Sequence, residues 1–159
     1  LIEDLNLISS LEYDMQPSKK KAVRLCPMLR NIVTEIVNNG LSEKYEINLN
    51  FKYEPAVIMG DEALLERAFF NLINNSMTHN TNGCKIKICE YAEDGTVFVK
   101  ISDNGIGVPD EVIENIGVIP KTAHGLGLPM AYKVFHVHGG KMKVKNDGGF
   151  LVHIELPMK

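Results

Sequence analysis

Apolar residues return at helical spacing through Leu64, Leu65, Ala68, Phe69, Leu72, Ile73 and Met77, which predicts a helix over residues 61–80 with one face to bury. On another face Arg67, Asn71, Asn75 and His79 stand four apart and align as a polar stripe. Asparagine is a poor residue for a helix interior, yet Asn71, Asn74 and Asn75 sit in the middle of this one. A single Asn would be a wetted surface position. Three among five residues indicate a helix that needs its amides.

Around this helix the pattern changes period. Leu1, Leu5, Ile8 and Leu11 mark the last turns of an amphipathic helix expected to begin upstream. Residues 15–21 (Met-Gln-Pro-Ser-Lys-Lys-Lys) read as a hinge or linker, and residues 22–25 as a short strand. Pro27 suits the first turn of a helix running through Leu29, Ile32, Val33, Ile36 and Val37 to Gly40. Tyr45, Ile47, Leu49, Phe51 and Tyr53 alternate as one side of a strand, which Pro55 breaks. Residues 56–59 make a brief second strand, and Asp61 caps the Asn-bearing helix.

Residues 84–91 and 96–102 predict a hairpin turning at Glu93-Asp94-Gly95. Beyond Asp103 come glycine-rich turns and an irregular stretch over 108–124. A helix over 126–138 ends at Gly139-Gly140, and residues 141–145 and 150–156 form a closing hairpin around Asn146-Asp147-Gly148-Gly149. There are no internal repeats. Helices and hairpins mixed in this way predict an α+β fold, a two-layer sandwich with helices covering one face of a mixed sheet.

Composition narrows the class without naming a function. A chain of 159 residues is one domain of ordinary size, able to bury roughly 70% of its unfolded surface. At 45% hydrophobic and 23% charged it is globular and water-soluble in character. A net charge of -3 gives no footprint for nucleic acid, and Lys19–Lys21 is a short solvated run. Cys26, Cys84 and Cys89 are odd in number and form no Cys-x-x-Cys pair, which favours a reducing compartment over a disulfide framework or zinc site. No apolar run approaches a membrane span and there is no signal peptide. The chain starts at Leu1 without Met, so it is read as a piece of something longer, with any membrane anchor in the missing part.

Asp103 is the most informative residue. It shares strand parity with Val97, Val99 and Ile101, so its carboxylate is expected at the end of the core-facing side. A buried carboxylate must find donors, either backbone N–H groups of its own turn or a ligand such as an adenine amino group. Gly105 and Gly107 follow, permitting positive φ and leaving room for a ring against the backbone. Taken alone, Asp-x-Gly-x-Gly is a structural turn. Gly125-Leu126-Gly127-Leu128 opens a helix, where free N–H groups and the dipole favour phosphate. It is no Walker loop: Gly140-Lys141 is followed by Met142, and Phe135 stands in place of the first glycine. No strand directly precedes it, and the spacing of a dinucleotide fingerprint is absent.

In combination these parts are far more specific. An Asn-bearing helix, a strand ending Asp-Asn-Gly-Ile-Gly and a helix opened by Gly-Leu-Gly-Leu resemble the Bergerat ATP-binding fold shared by sensor histidine kinases, DNA gyrase B and heat-shock chaperones. Within that superfamily the chain looks like the catalytic domain of a two-component sensor histidine kinase. Gly60-Asp61, Asn71-Leu72-Ile73-Asn74-Asn75, His138-Gly139-Gly140 and Ile154-Glu155-Leu156-Pro157 carry the likeness further. The resemblance divides the chain into the end of a dimerisation and phosphoacceptor helix over 1–14, a linker over 15–21, and the catalytic ATP-binding domain over 22–159.

It also implies roles. Asp103 accepts from the adenine amino group, with Gly105 and Gly107 beside the ring. Asn75 places its amide oxygen on Mg²⁺, a hard cation that takes few protein ligands. Asn71 and His79, a turn to either side, hold phosphates or ribose, and Gly125, Leu126, Gly127 and Leu128 meet the phosphate chain. Lys121, the one basic residue of the 108–124 lid, contacts the γ-phosphate or is simply solvated. ATPases of the superfamily carry a water-activating Glu where this chain has Asn71, which disfavours a hydrolytic enzyme. The phosphate is then expected to pass to a His on an upstream dimerisation domain, since none of His79, His124, His136, His138 or His153 has an acceptor's helical context. His136, His138 and His153 read as structure or surface.

Partners implied are that domain, a response regulator, and a second copy in a full-length homodimer, with no nucleic acid and no direct membrane contact from this domain. The location implied is the cytoplasmic side of a membrane-anchored parent. Thr78 and Ala123 stand where relatives carry a basic residue and a glycine, and the lid lacks Phe. Those departures motivate the alternative, a degenerate nucleotide-binding scaffold or regulatory domain.

Overall fold

The computed structural model describes residues 20–117 and 127–159. The expected helix over 1–14, residues 15–19 of the expected linker and residues 118–126 lie outside the described residues.

Strand β1 (Lys20–Arg24) leads directly into helix α1 (Leu25–Asn38), with Pro27 in its first turn. Leu25, Cys26, Leu29, Ile32, Val33 and Ile36 are buried along one side of α1, and Gly40, at φ +94°, ends it. Strand β2 (Tyr45–Phe51) and strand β3 (Val57–Asp61) precede the Asn-bearing helix α2 (Glu62–Thr78). Asp61 caps α2: its Oδ1 accepts from the Leu64 N–H at 3.3 Å. Strands β4 (Cys84–Glu93) and β5 (Thr96–Asp103) form the expected hairpin, with Asp94 at φ +50° and Gly95 at φ +79°, the positive pair that matches strand twist. Then follow a short helix α3 (Asp110–Glu114), helix α4 (Gly127–Val137) and the closing hairpin of β6 (Lys141–Asn146) and β7 (Phe150–Pro157).

Five strands form one mixed sheet in the order β2-β4-β5-β7-β6, with β2 parallel to β4 and every other pair antiparallel. The parallel pair needs a crossover, which β3 and α2 supply. Alternate residues Ile86, Ile88, Val97, Val99, Ile101, Val152, Ile154 and Leu156 point from one face into the core. From the helices come Leu65, Ala68, Phe69, Leu72 and Ile73 of α2 and Met130, Ala131, Val134 and Phe135 of α4. Phe69 meets Phe135 with ring centroids 5.1 Å apart and planes tilted by 56°, joining the two helices over the sheet. The α+β two-layer sandwich is therefore the observed fold. No helix among the described residues is long and apolar enough to cross a membrane.

Three local expectations shift. The first strand begins at Lys20, inside the stretch read as linker, because its backbone pairs antiparallel with β3, Lys20 opposite Asp61. The strand through Tyr53 stops at Phe51, since the Tyr53 N–H donates to Oε1 of Glu90 at 2.9 Å instead of to a ladder. A short helix, α3, interrupts the stretch read as irregular. Glu90 itself has core parity with Ile86 and Ile88 and is fully buried, and among the described residues no N–H or O–H group donates to its Oε2. Beside it the Cys26 thiol is pushed up to about 12, chiefly by burial and then by the charge of Glu90.

Candidate functional site

Parity delivers Asp103 to the core side of β5, where it is 7% exposed. Its Oδ1 accepts from the N–H groups of Gly105, at 2.9 Å, and Phe150, at 3.1 Å. One donor comes from its own turn, as expected, and the other from the start of β7. Oδ2 takes no hydrogen bond among the described residues. Two charge-assisted bonds on one oxygen offset the desolvation of the group and fix its orientation, leaving the second oxygen as an aimed acceptor.

The loop after Asp103 is held from two sides. Asn80, 6% exposed at the end of α2, donates through Nδ2 to the Ser76 carbonyl at 2.7 Å and accepts on Oδ1 from the Ile106 N–H at 3.0 Å. Asn146, at the end of β6, accepts from the Val108 N–H at 3.0 Å and donates to the Val108 carbonyl at 2.7 Å. Between these clamps the Ile106 side chain stands 86% exposed, an apolar surface offered beside the carboxylate.

The glycines serve this clamping. Gly107 has the expected positive φ, +76°, and a Cβ there would lie 2.6 Å from Asn146 Oδ1. Gly105 does not have positive φ; it is glycine because a Cβ would overlap the Asn80 amide. The room beside each backbone, on the side where a Cβ would stand, is thus filled by an Asn amide rather than open to a ring. Gly149, at φ +144°, lies against Asp103 so closely that a Cβ would run into its carbonyl oxygen.

Asn71 and Asn75 are half-buried on α2, and neither amide makes a hydrogen bond among the described residues. The Asn75 carbonyl is engaged, accepting from the His79 N–H at 3.0 Å and the Thr78 hydroxyl at 3.2 Å. His79 is the exposed C-cap of the helix. The clamp through Asn80 brings this end of α2 against the Asp103–Val108 loop, so the helix that carries Asn71 and Asn75 and the strand end that carries Asp103 are neighbouring segments. Gly127 opens α4 with nothing near the position of a Cβ, whereas Leu128 is 8% exposed and gives its side chain to the core. Lys121, Gly125 and Leu126 lie outside the described residues, as do Ala123 and His124.

A neutral amide oxygen not consumed by another bond suits a cation that keeps waters and phosphate oxygens around it, so Asn75 fits the Mg²⁺ role. No group of three or more His, Cys, Asp or Glu residues among the described residues could hold a metal by itself.

His138 is structural. Its Nδ1 donates to the Val134 carbonyl at 2.7 Å, and its Nε2 accepts from the Asp61 N–H at 3.0 Å, fixing the start of α2 against the end of α4. Burial pushes its pKa down, opposed by the bond to Val134. Gly60 is small because a Cβ would stand 2.7 Å from that ring.

Sequence reasoning missed Asn80, Asn146 and Gly149. Asn80 was the last residue of a helix and the other two were ordinary turn residues; their partners are 26, 38 and 46 positions away, and no local pattern marks them.

The family model described as "Histidine kinase-, DNA gyrase B-, and HSP90-like ATPase" matches residues 60–159. Over 155 residues the chain is 32% identical to the sensor histidine kinase YvrG of Bacillus subtilis (strain 168), covering 92% of this chain and 27% of that protein. It is 27% identical to sporulation kinase C of the same organism, covering 87% of this chain and 34% of that protein. The chain therefore spans about a quarter to a third of the length of these curated relatives. Among solved structures, the catalytic domain of histidine kinase ThkA superposes with a TM-score of 0.77 at 23% identity, over 87% of this chain and 95% of that one. ThkA in complex with response regulator protein TrrA gives a TM-score of 0.77 at 21% identity, over 98% and 47% of the respective chains. These structural likenesses establish the fold.

Proposed function

This chain belongs to the histidine kinase-, DNA gyrase B-, and HSP90-like ATPase family, and we propose that it is the ATP-binding catalytic domain of a sensor histidine kinase. It binds Mg²⁺–ATP and presents the γ-phosphate to a His on an upstream dimerisation and phosphoacceptor domain. From there the phosphate goes to an Asp of a response regulator. The observation that carries this reading is the Asp103 carboxylate: buried, held through Oδ1 by two backbone N–H groups, and left with Oδ2 as an acceptor. That arrangement selects a purine bearing an exocyclic amino group, because a keto oxygen at the same place would face the carboxylate without a proton between them.

Asn75 would hold Mg²⁺, and the bound cation would offset charge across the phosphates. Asn71 and His79 would lie along the phosphates or ribose, and Lys121 with the Gly125–Leu128 turn would meet the phosphate chain. Asn71 offers an amide where hydrolysis would need a carboxylate base, which supports transfer to an external nucleophile over turnover with water. The parent protein would act as a homodimer, membrane-anchored with this domain on the cytoplasmic side.

Calorimetric titration with a non-hydrolysable ATP analogue, with and without Mg²⁺, tests the site directly. Magnesium-assisted binding that Asp103→Asn removes supports the reading. A folded chain that binds nothing overturns it in favour of a scaffold. In the full-length protein, Asn75→Ala is expected to abolish autophosphorylation.

A further inference from the structure

The sheet face opposite the helices carries a concentration of charge at odds with the chain as a whole. The register aligns Cys89, Lys100, His153 and Lys143 in one row across β4, β5, β7 and β6, and Lys87, Ser102, Leu151 and Lys145 in the next. The four lysines are exposed, and neither row contains an acidic residue. The chain carries a net charge of -3, so this face is locally opposite in sign to the whole. Among the described residues the ion pairs are Lys21–Glu62 and Arg30–Glu54, and none of these four lysines takes part. Between Lys100, Lys143, Lys145, Leu151 and His153 the face is indented by a cleft of about 370 Å³.

Two ordinary explanations cover part of this. Lysines on β6 guard an exposed sheet edge against pairing with another chain. Lys100 and Lys87 stand on the interior strands β5 and β4, where there is no edge to guard. Elsewhere the face intersperses both signs, with Glu46 opposite Lys85 and Glu155 opposite Lys141, whereas the four lysines occupy two adjacent rows that hold no carboxylate.

The chemistry of the face distinguishes among anionic partners. Tyr91 stacks on Phe98 with centroids 4.7 Å apart and planes 12° apart, and Phe98 stacks on His153 at 5.7 Å and 23°. Both faces of Phe98 are used and Lys100 lies 5.8 Å over Tyr91, so the rings form a ridge rather than a platform on which bases could stack. The cations are lysines, hydrated point charges that suit separate anionic groups spread over a surface rather than the bidentate capture of a single one. Along a strand, side chains on one face repeat every ~6.6 Å, the same repeat at which an extended peptide presents alternate side chains. A spread lattice of lysines beside an apolar ridge matches carboxylates distributed along a peptide.

We propose that this face is a docking surface for an acidic segment of a separate protein partner, with Lys100, Lys143 and Lys145 facing its carboxylates and Leu151 and the Tyr91–Phe98–His153 ridge giving apolar contact. Lys100 has the opposite strand parity to the core-side Asp103, so the surface lies on the other face of the sheet, and the inference does not rest on the nucleotide reading.

The test is titration of the ¹⁵N-labelled chain with a synthetic poly-glutamate peptide at low ionic strength. Amide shifts are expected to cluster on β5, β6 and β7 around the three lysines, with affinity falling roughly tenfold as salt is raised to physiological strength. Lys100→Glu, Lys143→Glu and Lys145→Glu together should abolish the shifts while the melting temperature stays unchanged. Gln at the same three positions, which removes charge without reversing it, should weaken binding. Shifts spread equally over other exposed lysines such as Lys44 and Lys52, or none at low salt, overturn the proposal. So does an oligonucleotide or an anionic vesicle that moves the same amides at lower concentration than the peptide.

Discussion

Asp103 and Phe150, 47 positions apart, are joined by a 3.1 Å hydrogen bond from the Phe150 N–H to the Asp103 carboxylate. The same oxygen that anchors the first residue of β7 also closes the turn at Gly105, so one atom of a candidate ligand-binding group is spent on architecture. Asp103→Asn keeps an oxygen for both donors and turns the other atom into an NH₂ donor. It should leave the urea midpoint nearly unchanged and remove binding of an adenine nucleotide. Asp103→Ala orphans two backbone donors and should lower stability by about 1–3 kcal/mol as well. Equal loss of stability in both variants would contradict this division of the two oxygens.

Asn75 is a helix-interior position that structure does not reward, since its amide has no hydrogen bond among the described residues. Asn75→Ala should therefore make the fold more stable, by roughly 0.5 kcal/mol from helix propensity. The magnesium dependence of nucleotide binding should vanish in the same variant. Urea unfolding and calorimetry on one preparation measure both.

Gly105→Ala would drive a methyl into the Asn80 amide. The expected cost is about 1–3 kcal/mol, the usual range for overpacking. Asn80→Ala alone should also destabilise, by releasing Ile106 and Ser76 from their bonds. The double variant should be less damaged than the two single losses summed, by more than about 0.5 kcal/mol in a double-mutant cycle. Strict additivity would show that the glycine is not there for Asn80.

Burial holds the pKa of His138 below its ordinary value. The folded chain then binds this proton less readily than the unfolded chain, so the unfolded state takes up more protons as pH falls below about 6.5. The contribution of His138 is present above that pH and is lost beneath it. His153 is pushed down by burial and by Lys100, and acts in the same direction. Urea midpoints between about pH 7 and 5 should fall more steeply for the native chain than for His138→Gln, which cannot titrate.

Thiol chemistry should report the core. Cys26 is 0% exposed, with its thiol pushed up to about 12, and Cys84 is 7% exposed and also raised, while Cys89 is half-buried on the open sheet face. A disulfide reagent at pH 8 should modify Cys89 first, with the other two reacting only on unfolding. Rapid labelling of Cys26 in the folded chain would contradict its place against Glu90.

Much of the protein was legible along the chain. The period of apolar residues marked α2 and the β4–β5 hairpin, because one buried face imposes its repeat on a continuous segment. The same parity placed Asp103 on the core side of β5 before any contact was known. Asn71 and Asn75 stood out because an interior amide has a local cost that needs a reason. What the sequence by itself determined is therefore whatever a single segment must satisfy: its period, its caps, its turns, and the residues that violate its own preferences.

Tertiary structure alone decided the rest, because those features are pairings between segments far apart in the chain. Lys20 joined a strand because β3 offered its backbone a ladder, a partner that nothing in residues 15–21 announces. Gly105 read as a flexible turn residue, yet its smallness answers to Asn80, which sits on another element. Phe150 supplied the second donor to Asp103, and Asn146 the clamp on Val108, only once β6 and β7 had closed the sheet. A hydrogen bond depends on atoms meeting in space, and a buried polar group takes whichever donor the fold delivers. The chain encodes the need for a partner locally, and the fold supplies its identity.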